Sequence, residues 1–131
     1  MIGVDTNVLL RLFIDDDPAQ CERARRFVGT ASEDAPCLVN PIVLAEFAWT
    51  LVRTYKKKRS EVVHLIEGIL TMDDLEIPYR RAAEGALAAY RTGKADFPDY
   101  FLAEINAELR CASTATFDGT ALDSPAFSPV P

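Results

Sequence analysis

The first ten residues, Met1-Ile2-Gly3-Val4-Asp5-Thr6-Asn7-Val8-Leu9-Leu10, pass from a short apolar run to a carboxylate and then directly into a second apolar stretch. A strand that ends on an acid and is followed at once by a helix is the opening of a βα unit. Such units favour parallel pairing and a layered α/β domain. In an open sheet of this kind, side chains at the carboxyl ends of the strands line the ligand crevice, so Asp5 stands at the position where chemistry is commonly done.

The alternation continues along the chain. Ile2–Asp5 reads as a strand, and Thr6–Phe13 as a short helix that turns Val8, Leu9, Leu12 and Phe13 inward. Asp15-Asp16-Asp17-Pro18 is a break, after which Pro18 suits the first turn of an amphipathic helix reaching about Val28. Cys37-Leu38-Val39 predicts a strand. Asn40-Pro41, a cap followed by proline, opens a helix through Tyr55, and Ser60 opens another to about Leu70. Leu75-Glu76-Ile77 is a brief strand, Pro78 starts a helix to Tyr90, Asp96 opens one to about Leu109, and Ala112–Phe117 is the last strand. The proline-spaced tail after Ser124 is expected to be extended and loosely held. No internal repeat or linker interrupts the pattern. With 131 residues, 49% of them apolar, the expectation is one α/β domain spanning residues 1–131. Its sheet should have four or five short, mainly parallel strands, with helices on both faces.

Composition narrows the function classes. No apolar stretch is long enough to cross a bilayer, and the amino terminus lacks a signal-peptide pattern, so a cytoplasmic protein with no membrane partner is expected. Cys21, Cys37 and Cys111 are odd in number and lack paired spacing, which supports neither a disulfide framework nor a zinc knuckle and predicts buried small apolar residues. Twenty acidic against fourteen basic side chains give a net charge of -6. That is the wrong sign for gripping a polyanion with the whole surface, so a nucleic-acid substrate would need a local basic patch or bridging cations.

Four acids are candidates for chemistry. From Leu38 through Val52 the only charged residue is Glu46, and burying an unpaired carboxylate costs several kcal/mol, so it is expected to reach a cation, a donor or a cleft. Asp5 is placed equally well to cap the helix that follows it. Asp96 has the position of an N-cap and Asp99 that of a first-turn anion, and only one of them needs to be catalytic. Asp118 ends the last strand before Gly119 and could be a plain turn residue. Taken together, Asp5, Glu46, Asp99 and Asp118 come from separate elements that one crevice could gather. Carboxylates so crowded repel by roughly 4 kcal/mol per pair at 4 Å and an effective dielectric near 20. A hard cation relieves that repulsion, and oxygen-only ligands point to Mg²⁺ or Mn²⁺ rather than zinc.

The order Val4-Asp5-Thr6-Asn7, then Glu46 in an apolar helix, then Asp96-Phe97-Pro98-Asp99-Tyr100-Phe101-Leu102-Ala103, then Thr116-Phe117-Asp118 resembles a PIN domain. Length and spacing resemble the VapC-type ribonuclease toxins of toxin–antitoxin pairs. The resemblance runs from Ile2 to about Asp123 and implies a PIN-like three-layer fold. It matches Asp5, Glu46, Asp99 and Asp118 to the family's acidic tetrad, with Asn7 and Thr116 as polar supports and Asp96 beside them. It differs in an unusually polar last strand and in Pro98 before the third acid. The implied activity is an Mg²⁺- or Mn²⁺-dependent endoribonuclease in which metal-activated water attacks the RNA phosphodiester. The implied partners are a small cognate antitoxin covering the acidic cleft and a second copy of the chain in a homodimer.

The cationic candidates are Arg11, on the helix after Asp5, and the run Arg53-Thr54-Tyr55-Lys56-Lys57-Lys58-Arg59, the one dense positive cluster in this reading. Lys56, Lys57 and Lys58 there could touch RNA, although a solvated connection is favoured. His64 is the only histidine, which excludes a two-histidine ribonuclease mechanism, and it is expected to be structural or exposed. A phosphoacceptor receiver domain would need an acidic pair after the first strand and a late lysine. A haloacid-dehalogenase-type phosphatase would need an acid where Asn7 stands. A non-catalytic RNA-binding or scaffold version of the same fold is the remaining alternative, separable by divalent-ion binding.

Overall fold

Most of the helices begin where the sequence supplies a cap. The computed structural model describes all residues, Met1–Pro131. Strand β1 (Ile2–Val4) leads into α1 (Thr6–Arg11) and α2 (Pro18–Val28), then β2 (Cys37–Val39) into α3 (Pro41–Arg53) and α4 (Arg59–Leu70). Strand β3 (Leu75–Glu76) is followed by α5 (Arg80–Thr92) and α6 (Phe97–Glu108), then β4 (Thr114–Thr116), a short 3-10 turn (Ala121–Asp123) and β5 (Phe127–Pro129). The Asp17 carboxylate accepts the Gln20 N–H at 3.1 Å at the start of α2. The Asn40 side chain accepts the Ile42 N–H at 2.8 Å at the start of α3, just before Pro41, whose missing N–H would have had no partner there. Helix α5 begins at Arg80 rather than at Pro78 because Tyr79 takes a left-handed conformation, φ 59° and ψ 38°, which a helix cannot include.

The fold is a layered α/β arrangement, and every strand pairing is parallel. Strands β1, β2 and β3 form one sheet in sequence order, with Val4 opposite Val39 and Cys37 opposite Leu75. Strands β4 and β5 pair separately, with Thr114 opposite Phe127 and Thr116 opposite Pro129. The five strands therefore make two short sheets, where one was expected. They also correct the reading of the tail. Residues after Ser124 are extended, yet they are not loose, because Phe127 is buried and its strand completes a ladder.

A single cluster of 28 buried residues runs from Val4 to Phe127 and holds the layers together. Leu44, Phe47 and Leu51 of α3 are fully buried in it, each worth about 1.5–3 kcal/mol relative to exposure. No polar or charged residue is buried. Cys21 and Cys37 are small core residues as expected, whereas Cys111 is exposed in the connection after α6. His64 is exposed on α4. No helix is long and apolar enough to cross a membrane.

Candidate functional site

Strand β1 ends at Val4, so Asp5 sits at the carboxyl end of the sheet and caps α1, its Oδ1 accepting the Val8 N–H at 3.0 Å. Helix α6 brings a second aspartate. Asp96 is its N-cap, Pro98 lies in its first turn, and the half-buried Asp99 turns back so that its Oδ2 accepts the Asp96 N–H at 3.2 Å. Beyond β4, the Thr116 hydroxyl oxygen accepts the Asp118 N–H at 2.9 Å. The Asp118 Oδ1 then accepts both the Thr120 N–H at 2.9 Å and the Thr120 hydroxyl at 2.8 Å. Thr116 thus holds the backbone of Asp118.

These three aspartates share one feature. Each uses one carboxylate oxygen to hold local backbone, and its other oxygen makes no hydrogen bond to the protein. Their proton affinities diverge. Burial pushes the Asp99 carboxyl above the usual range; the Asp96 N–H opposes that shift, and the charges of Asp96 and Asp118 add to it. The hydroxyl and backbone N–H of Thr120 hold Asp118 below its ordinary value. Asp96, Asp99 and Asp118 therefore form an electrostatic neighbourhood.

The other acids stand apart. Asp5 makes no ion pair or hydrogen bond with Asp99 or Asp118. Glu46 is exposed on α3, which corrects the expectation that it would be hard to keep in water. The helix is apolar nearly all round, but it leaves Ile42 (67% exposed) and Trp49 (52% exposed) on the solvent side with it. Glu46, the one acid on α3, marks this outward stripe, so burial does not force a partner on it. No three His, Cys, Asp or Glu side chains are close enough to hold a metal ion together. The donor chemistry nevertheless fits a hard cation. Asp99 and Asp118 are oxygen donors, electrostatically coupled, each with an oxygen free of protein partners.

Asp5 also lines a cleft of about 470 Å³ between α1 and α2, together with Asn7, Arg11, Gln20, Arg23 and Phe27. Arg11 does face this crevice. Its Nε donates to Gln20 and its Nη1 to Asp16, both at 2.9 Å, while the Tyr55 hydroxyl donates to the other Asp16 oxygen at 2.8 Å. The hydrogen bond with Tyr55 raises the Arg11 pKa, partial desolvation opposes it, and Asp16 adds to the rise, so the guanidinium stays charged. Arg23 was missed in the sequence. The signal was present, since Arg23, Arg25 and Arg26 make a second positive cluster on α2 beside the run at 53–59.

The 53–59 run is largely structural. The Lys57 ammonium lies 3.8 Å from Glu61, and the Lys58 N–H donates to Glu61 at 3.1 Å. Arg59 donates to the carbonyls of Tyr90 at 2.7 Å and Ala95 at 3.0 Å, with its guanidinium 4.2 Å from the centre of the Tyr90 ring. Arg53, Lys56 and Lys58 are exposed and free of ion pairs, with the Arg53 guanidinium over the Trp49 ring.

A family model described as PIN domain matches residues 2–125. Neither the comparison with curated proteins nor that with solved structures returns a match.

Proposed function

This chain belongs to the PIN-domain family, generally a nuclease fold, and on that footing we propose that it is an Mg²⁺- or Mn²⁺-dependent endoribonuclease. The observation that carries the proposal is that Asp99 and Asp118 are each anchored through one oxygen and open at the other, with the Asp118 charge bearing on the half-buried Asp99. Asp99 and Asp118 would hold the cation, with Asp5 and Glu46 as the further acids of the site. A divalent ion bound there supplies positive charge to a phosphodiester and lowers the pKa of water. The chain's own residues do the rest. Asp99, whose carboxyl is pushed above the usual range by burial in the metal-free protein, would hold the cation through its open Oδ1. Asp118, held below that range by Thr120, stays ionised. The Asp96 N–H holds one oxygen of Asp99, Thr120 holds one oxygen of Asp118, and Thr116 holds the Asp118 backbone.

By resemblance in length and motif order, the enzyme would be the VapC-type toxin of a toxin–antitoxin pair. It would act in the cytoplasm, work as a homodimer and be held off by a small cognate antitoxin. The decisive test is incubation of purified protein with single-stranded RNA in Mn²⁺ and in excess chelator. Cleavage is expected only with the ion, and is expected to be lost in Asp99→Asn and Asp118→Asn. Full cleavage in chelator would contradict the proposal.

A second reading has one observation in its favour. Asp5, Asp99 and Asp118 each perform a local capping or turn role that a non-catalytic RNA-binding or scaffold protein would also need. Such a protein would bind RNA without cleaving it and gain no thermal stability from Mn²⁺.

A further inference from the structure

Helix α2 presents Gln20, Arg23, Ala24 and Phe27 to the cleft beside Asp5. Their spacing of three and four residues places them on one helical face, whereas Arg25 lies about 200° round the helix from Arg23. Arg23 has no carboxylate or hydrogen-bond partner in the protein. Arg11 is held rigidly by Gln20 and Asp16, and its Nη2 makes no hydrogen bond to the protein. Phe27 is 38% exposed at the edge of the same cleft. Two guanidinium groups with unused donors, an open aromatic face and the Asp5 carboxylate form a polar cleft, with a volume inside the range of about 300–1,000 Å³ usual for small-ligand sites.

An apolar helix would leave these guanidinium groups without acceptors on burial, which is costly. A nucleotide satisfies them. Phosphate oxygens accept from arginine, and a base stacks on an aromatic ring in single strands without needing sequence readout.

We infer, on the footing of the nuclease proposal above, that the α1–α2 cleft seats one nucleotide of the single-stranded RNA substrate next to the acidic site. Its phosphate lies against Arg23 and the free edge of Arg11, and its base lies on Phe27. In a protein of net charge -6, this subsite supplies the local positive charge that a polyanionic strand requires.

The test is binding of a fluorescein-labelled, mixed-sequence 12-nucleotide RNA in the Asp99→Asn background, so that cleavage does not intervene, measured from low to moderate salt. Arg23→Ala should weaken binding several-fold and reduce the slope of log K against log salt by about 0.7, the value for one phosphate contact on a single strand. Arg23→Lys should keep most of the slope. Phe27→Leu preserves an apolar side chain for packing but removes the ring, and it should weaken binding by about 5-fold or more. Arg25→Ala is the charge-matched control and should leave the slope unchanged. Thermal midpoints of all four should match the parent within a few degrees. Equal losses in Arg23→Ala and Arg25→Ala, or unchanged binding in Arg23→Ala and Phe27→Leu, would overturn the subsite. If those two variants in the wild-type background cleave as well as wild type, the subsite falls while the nuclease proposal stands. If wild type neither binds nor cleaves RNA, the nuclease proposal falls and takes the subsite with it.

Discussion

The backbone N–H of Asp96 donates to the carboxylate of Asp99 across 3.2 Å, so the two aspartates that open α6 have different tasks. Asp96 is the cap whose backbone is held; Asp99 is the half-buried acid that does the holding and keeps one oxygen open. The asymmetry predicts a contrast. Asp99→Asn retains an oxygen for the Asp96 N–H but loses the charge, and is expected to reduce cleavage by at least about 100-fold, at or beyond the upper end of the losses seen when partners of metal ligands are removed. Asp96→Asn caps about as well as Asp and should stay near wild-type activity. RNA cleavage rates of the two variants check this. The reverse order of effects would assign the catalytic role to Asp96.

Apo stability should move in the opposite sense to activity in Asp99→Asn. Burial raises the pKa of Asp99 in the folded protein, with Asp96 and Asp118 adding to it, so the folded state holds a proton more tightly than the unfolded chain. Stability from this group is present below the ordinary aspartate pKa, about 3.9, and is lost as pH rises through the raised folded value. Asp118 has the opposite sign. Its lowered pKa gives stability that is present above the ordinary value and lost as pH falls through the folded one. Thermal midpoints of wild type and Asp99→Asn without metal, taken from about pH 4 to 7, should therefore diverge in favour of the variant as pH rises. A gap that stays constant or reverses over that range would remove the desolvation argument.

Adding Mn²⁺ should stabilise the wild type in proportion to ln(1 + [L]/Kd), and should stabilise Asp99→Asn less. The readout is the shift in thermal midpoint on titrating the ion. Equal shifts in both proteins would place any ion elsewhere.

Much of the architecture was legible in the chain because its helix starts are chemically marked. Asp17-Pro18 and Asn40-Pro41 combine a side-chain cap with a proline in the first turn, and α2 and α3 begin at those prolines. Pro78 carried the same signal without a cap before it, and Tyr79 in its left-handed conformation delays α5 to Arg80. The acids at Asp5, Asp99 and Asp118 could be found from their places at strand and helix ends. Their local capping and turn roles were legible too, because Val8, Asp96 and Thr120 lie two or three residues away; the effect of the Asp118 charge on Asp99 was not, since it depends on the tertiary fold. Glu46 shows the limit of a pattern argument. The apolar run around Glu46 predicts a mostly buried helix in which the acid needs a partner, yet Ile42 and Trp49 share its solvent face, and Arg53 sits 5.7 Å above the Trp49 ring. Phe127 was lost for a related reason, since a proline-spaced segment has no periodicity to reveal a three-residue strand.

The connection before α6 gives a prediction about stability. Arg59 clamps the carbonyls of Tyr90 and Ala95, and the Tyr100 hydroxyl accepts the Ala95 N–H at 3.1 Å in a buried bond. Losing the Arg59 donors should cost roughly 2 kcal/mol or more, because hydrogen bonds from charged groups are worth about 1.5–3 kcal/mol each. At Gly93 a Cβ would run into the Tyr100 hydroxyl and come within 2.8 Å of the Ala89 carbonyl oxygen. Gly93→Ala should therefore cost about 1–3 kcal/mol. Chemical denaturation of Arg59→Ala and Gly93→Ala checks both values, and wild-type stability in either would show that the connection is not clamped as described.

The chemical identity of the cleavage products tests the central claim most directly. Wild-type protein, single-stranded RNA and Mn²⁺ should give fragments with 5′-phosphate and 3′-hydroxyl ends, because water rather than the RNA 2′-hydroxyl is the attacking group. End-group analysis by mass spectrometry distinguishes the two routes, and fragments ending in 2′,3′-cyclic phosphate would contradict the account.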